Sequence, residues 1–135
     1  MKKLLFVALL ILGTATFAQE NTNKGVFEFE TEVIDYGIIA QNTDGKRTFS
    51  FKNIGSTPII ISKVIGSCGC TVATKPEKAI LPGETASIGV VYATNRVGQF
   101  SKTIIVLSDA NKSRLVLRIK GSVMKKDTNI TASNK

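Results

Sequence analysis

The only two cysteines of this chain stand two residues apart, in Gly66-Ser67-Cys68-Gly69-Cys70-Thr71, and no other residues offer as much chemistry. A thiolate is a nucleophile, a redox centre and a soft-metal ligand. What this pair can do depends on the backbone between them. If the strand stays extended, Cys68, Cys70 and Val72 share one face. Residues two apart are then separated by about 6.6 Å with parallel side chains, whereas a disulfide wants Cβ atoms near ~3.8 Å. Two such thiols would be small hydrophobes filling a core. If the chain turns, with Gly66 and Gly69 easing the bend, the sulfurs can meet. An oxidising compartment favours that pairing. So short a loop contributes little entropy, and the bond is then a labile one of redox character. Two adjacent thiolates also suit a soft ion such as Cu(I), and each thiol can instead pair with another chain. All these readings stay open here, and Cys68 and Cys70 are the candidate redox or disulfide pair.

The remaining residues narrow the chemistry. No histidine occurs among the 135 residues. Neither a Ser-His-Asp nor a Cys-His nucleophile can therefore be assembled, and the commonest ligand of zinc and copper is missing. Asp35, Glu77 and Glu84 each adjoin a turn signal, where a carboxylate steadies the local backbone. Asp35-Tyr36-Gly37 echoes the kinase Asp-Phe-Gly element but has none of its companions. Asn111-Lys112-Ser113 and Asn129-Ile130-Thr131 fit the N-glycosylation pattern, which matters only in a host with that machinery. No catalytic residue, cofactor or metal site is assigned.

The elements that must position the pair read as strands. From Val26, Phe27, Phe29, Thr31 and Val33 alternate with Glu28, Glu30 and Glu32, as in a half-buried strand. Lys46 to Lys52 sets Arg47, Phe49 and Phe51 against Lys46, Thr48, Ser50 and Lys52. After the turn-rich Asn53 to Pro58, the β-branched run Ile59 to Ile65 reads as a buried strand. Leu81-Pro82-Gly83-Glu84 predicts a type II turn. Thr85 to Tyr92 points Ala86, Ile88, Val90 and Tyr92 one way. Gln99 to Leu107 and Arg114 to Lys120 predict a hairpin around Asp109 to Lys112, with Leu115, Leu117 and Ile119 inward. No sustained helical stripe interrupts this. About seven short strands in about 100 residues predict an all-β, immunoglobulin-like sandwich, with a closed barrel as the alternative.

The first 18 residues have a different composition. Lys2 and Lys3 precede an apolar run from Leu4 to Leu12, and Thr16-Phe17-Ala18 offers small residues before a cleavage point at Gln19. This is the layout of a secretory signal peptide, and the run is too short to span a bilayer. The expected organisation is a signal peptide (1–18), a linker (19–25), one domain (26–123) and a disordered polar tail (124–135). The mature chain is expected to be soluble, with no membrane span and no acyl anchor, periplasmic or secreted. Setting Lys2 and Lys3 aside leaves 16 Lys and Arg against 10 Asp and Glu, a net charge of about +6. Those cations are scattered, with Lys125-Lys126 the one cluster, and read as a solvated surface. Without a stacking platform, nucleic acid is not an expected partner.

Several motifs together resemble a known family. Phe27-x-Phe29, Asp35-Tyr36-Gly37, Phe49-x-Phe51-Lys52-Asn53-x-Gly55, Ser67-Cys68-Gly69-Cys70-Thr71, Pro82-Gly83-Glu84 and Gly98-x-Phe100 resemble the bacterial domain of unknown function family 1573 (DUF1573). The likeness runs from about Phe27 to Val123, and the Ser-Cys-Gly-Cys-Thr core is its most specific part. Tyr36 stands where the family usually has Phe. The family is similar to immunoglobulin-like domains of the Hydin and major-sperm-protein type, and many members look like exported proteins of Bacteroidetes. The resemblance implies fold and address, and no activity. The expected function is a non-enzymatic binding or structural module of the cell envelope, acting through a sheet edge or end loops on an envelope protein. The alternative is a small thiol redox or soft-metal protein using Cys68 and Cys70.

Overall fold

The computed structural model describes residues 23–127, so the signal peptide and most of the linker and tail read from the sequence lie outside the described residues. Among the described residues eight strands follow one another: β1 (Phe27–Phe29), β2 (Val33–Ala40), β3 (Lys46–Asn53), β4 (Ile61–Gly66), β5 (Thr71–Thr74), β6 (Thr85–Tyr92), β7 (Gly98–Ser108) and β8 (Arg114–Met124). They form two four-stranded sheets, β1-β3-β6-β5 and β2-β8-β7-β4, in an immunoglobulin-like sandwich. Every pairing is antiparallel except that of β2 with β8. Among the described residues, no helix is long and apolar enough to cross a membrane.

Alternation in the sequence translates directly into the inner faces. Phe49 and Phe51 of β3 are 0% and 1% exposed, and Ile88, Val90 and Tyr92 of β6 lie inward beside them. The other sheet faces them with Leu115, Leu117 and Ile119 of β8 and, on the neighbouring strand, Ile104 and Val106 of β7. Pro82-Gly83 makes the expected turn, with Gly83 at φ 84° and Glu84 N–H donating to the Leu81 carbonyl. The flanking carboxylates act locally: Glu84 Oε2 accepts from Leu81 N, and Asp35 Oδ1 accepts from Gly37 N.

Among the described residues the strands number eight: the run from Val26 to Val33 is not one strand, and Thr71–Thr74 forms a short strand of its own after the cysteine pair. β1 ends at Phe29, and the chain crosses to the other sheet before Val33. Thr31 makes the crossing: its hydroxyl donates to the Val33 carbonyl at 2.7 Å and accepts from Val33 N. β2, which contains Asp35-Tyr36-Gly37, is interrupted between Asp35 and Ile38, with Gly37 at φ 64°. That break hides its alternation. Ile59 to Ile65 is half-buried rather than buried: Ile59 and Ile61 face the core, while Ile60 and Ile65 face solvent. β8 continues to Met124, so the first residue read as tail is held in a sheet. At the other end, Gly25 of the linker is buried, and its carbonyl accepts from Asn111 N.

Candidate functional site

The Gly66-to-Thr71 segment joins β4, at the edge of one sheet, to β5, at the edge of the other. The register of β4 with β7 ends at Gly66 opposite Ile104. Ser67 continues it by donating its N–H to the Thr103 carbonyl and accepting from Thr103 N. The chain then turns. Thr71 N–H reaches the Cys68 carbonyl at 3.1 Å, and Ala93 N–H holds the Cys70 carbonyl at 2.9 Å.

Cys68 and Cys70 are brought together in this turn and joined as a disulfide, with Cα atoms 5.2 Å apart. The extended arrangement fails at Val72, which is 60% exposed while Cys70 is 4% exposed. Neither Gly66 nor Gly69 takes a left-handed φ, so conformational freedom is not why the loop closes. Gly66 is needed for space, since a Cβ there would collide with the Thr71 carbonyl oxygen. A Cβ at Gly69 would meet nothing within 4 Å.

The two sulfurs differ in setting. Cys70 belongs to the buried core, whereas Cys68 is partly buried against it. Cys70 N–H donates to Cys68 Sγ at 3.3 Å. Thr71, itself 4% exposed, holds Oγ1 at 3.8 Å from Cys68 Sγ and 3.9 Å from Cys70 Sγ. Among the described residues, these sulfurs are the hydrogen-bond partners of that hydroxyl. An unsatisfied buried hydroxyl costs roughly 1–3 kcal/mol. A disulfide sulfur is a weak acceptor, so Thr71 is poorly served by the oxidised pair and would be better served by a thiolate. The sequence signal for this was present in Cys-Gly-Cys-Thr, but in an extended strand Thr71 would fall on the face opposite Cys68, Cys70 and Val72.

Between the same two edge strands lies an open groove of about 330 Å³ lined by Ser62, Lys63, Val64, Ala73, Thr74, Lys75 and Glu77. Val64 and Ala73 are half-buried and pack on the core. Lys75 pairs with Glu77 at 3.6 Å. Among the described residues, β4 pairs only with β7 and β5 only with β6, so within them both strands present an unpaired backbone edge here.

At the end of the sandwich formed by the β2–β3 and β6–β7 connections, Tyr92 stacks on Phe100 with ring centroids 3.8 Å apart, and Tyr36 meets Phe100 edge-on. Arg47 lies 4.4 Å over the Tyr36 ring, and the Tyr36 hydroxyl donates to the Gly45 carbonyl at 2.7 Å. Burial raises the Tyr36 phenol above its ordinary range, opposed by the Arg47 charge. Asp35 pairs at the surface with Lys120. Of these contacts, Tyr92 on Phe100 and Arg47 over Tyr36 join one sheet to the other. Among the described residues, no group of three or more His, Cys, Asp or Glu gathers to share an ion.

Residues 27–123 match the family described as protein of unknown function (DUF1573). No curated protein matches the sequence. Among solved structures, a protein of unknown function from Porphyromonas gingivalis W83 is similar at TM-score 0.65 and 16% identity, over 79% of this chain and 51% of that one. This chain therefore spans about half of that protein's length. The ASH/PapD-like domain 7 of human CEP192 is similar at TM-score 0.63 and 8% identity, over 78% and 89% of the two chains. A chain of the CsuC–CsuE chaperone–tip adhesion subunit pre-assembly complex of Acinetobacter baumannii is similar at TM-score 0.55 and 14% identity, over 73% and 57%. At these identities the likeness is one of fold.

Proposed function

The chain belongs to the DUF1573 family, and from that premise we propose that it is an exported, non-catalytic binding module of the bacterial envelope that takes an extended polypeptide into the groove between β4 and β5. One observation carries this reading: two strand edges, unpaired among the described residues, face one groove with a half-buried Val64 and Ala73 at its base. An exposed edge offers a row of backbone donors and acceptors to an incoming strand, and apolar positions beneath it give that strand's side chains a seat. Lys63 makes no ion pair among the described residues, which favours a segment with acidic residues. The fold likeness to a chain of a chaperone–adhesin complex is in keeping with binding use. Export rests on Lys2-Lys3, the apolar run and Ala18. Absence of histidine and of paired acids in the groove supports a non-catalytic role.

Photo-crosslinking in the native envelope tests the reading. A photoreactive residue at Lys63 or Thr74 is expected to capture a polypeptide, and one at Thr48, on the outer face of β3, is not. Ala73→Arg should fill the groove and abolish capture. Equal capture from Thr48, or capture indifferent to Ala73→Arg, would sink the proposal.

A further inference from the structure

We propose that the Cys68–Cys70 disulfide is a thiol–disulfide exchange site, with Cys68 as the attacked sulfur and Cys70 as the leaving thiolate. This inference is independent of the groove. It stands on the uneven setting of the sulfurs and on two hydrogen-bond donors already aimed at them. Cys68 is the more accessible sulfur, and the Gly69 side of the loop is open, since a Cβ there would touch nothing within 4 Å. Cys70 is sealed in the core at 4% exposure. Exchange proceeds by attack of an external thiolate on the accessible sulfur, and the other sulfur of the pair departs as the thiolate.

The external thiolate forms a bond to Cys68 Sγ, and the Cys68–Cys70 bond breaks. The electron pair passes to Cys70 Sγ, where the Thr71 hydroxyl stands at 3.9 Å to donate to the new thiolate. A second external thiolate then attacks the external sulfur of the mixed disulfide. Cys68 is released as a thiolate, facing Cys70 N–H and Thr71 Oγ1 at 3.3 and 3.8 Å. Two external thiols become one disulfide. Their two electrons end on Cys68 and Cys70; one proton goes to one of these sulfurs and the other to solvent, so that one thiolate remains to accept from the Thr71 hydroxyl. The buried Thr71 hydroxyl, poorly partnered by a disulfide, gains a strong acceptor at each stage. The loop therefore favours reduction more than a structural disulfide would.

The test is equilibration of the folded protein with reduced and oxidised glutathione, followed by acid trapping and mass measurement. The wild-type pair is expected to be reduced in glutathione while the domain stays folded. Thr71→Val should shift the exchange constant toward the disulfide by about tenfold, the loss of one hydrogen bond to a charged sulfur. Thr71→Ser, which keeps the hydroxyl, should stay near wild type. In single variants, Cys70→Ala should take up one glutathione at Cys68, and Cys68→Ala should stay unmodified while folded. A pair that resists glutathione until the domain unfolds would overturn the proposal. So would a Thr71→Val protein with an unchanged constant, or glutathione uptake at Cys70 in the folded state.

Discussion

Asn53 Nδ2 donates to the Ile80 carbonyl at 2.9 Å, tying the end of β3 to the segment that leads into β6. The same amide group donates to the Thr57 carbonyl, and its oxygen accepts from Val26 N and Gly55 N. One fully buried side chain thus holds three connections at one end of the sandwich. Asn53→Ala leaves several partly buried backbone groups without this partner and should cost about 3 kcal/mol. Urea melts check this. A loss below about 0.5 kcal/mol would mean that water replaces the amide fully.

Phe49→Ala or Phe51→Ala should each cost about 3–5 kcal/mol, because both rings are sealed between the sheets and the vacated space cannot close. Glu30→Ala, at an exposed position, should stay within about 0.5 kcal/mol. Against a total of about 5–15 kcal/mol the difference is easily resolved in melts. Comparable losses at Phe49 and Glu30 would contradict the inward assignment.

The two glycines of the cysteine loop should respond oppositely to alanine. Gly66→Ala drives a methyl into the Thr71 carbonyl and should cost about 2 kcal/mol or more while opening the loop. Gly69→Ala meets open space and should be neutral or slightly stabilising. Thermal melts of both variants decide this, and equal effects would refute the spatial account.

Reduction should leave the sandwich folded. Closing a loop of so few residues stabilises by about 1.5 kcal/mol at most in the chain-entropy account, against about 3 for a 15-residue loop. Urea melts with and without reductant should therefore differ by little more than that. Unfolding on reduction alone would show that the bond holds the two edge strands together.

Alkaline pH should weaken the fold through Tyr36. Its folded phenol is raised by burial, so the unfolded chain gives up the proton first as pH rises. The contribution is whole below the unfolded value of about 10 and is lost as pH climbs through to the folded value. Tyr36→Phe should remove that slope and, by deleting the bond to the Gly45 carbonyl, cost about 1 kcal/mol at neutral pH. Tyrosinate absorbance, compared between wild type and Tyr36→Phe, should place the missing transition above that of the unfolded chain. A midpoint at or below it would refute the assignment.

Local rules made much of the fold legible. Period two assigned Phe49, Phe51, Ile88, Val90, Tyr92, Leu115, Leu117 and Ile119 to the interior, and Pro82-Gly83 announced its turn, because each depends only on neighbouring residues. Those assignments, with the Cys-Gly-Cys spacing, were the contribution of the sequence alone. Periodicity tells which side of a strand is buried; it is silent on which strand lies alongside. The crossing that sets Phe29 beside Phe51 in one sheet and Val33 beside Arg118 in the other involves partners far apart in the chain, and only the assembled sheets decided it. The cysteine loop is the same case. Whether Cys68 and Cys70 stay extended or meet depends on β4 and β5 falling at the adjoining edges of opposite sheets, so that the chain must turn between them and carry the Thr71 hydroxyl onto both sulfurs.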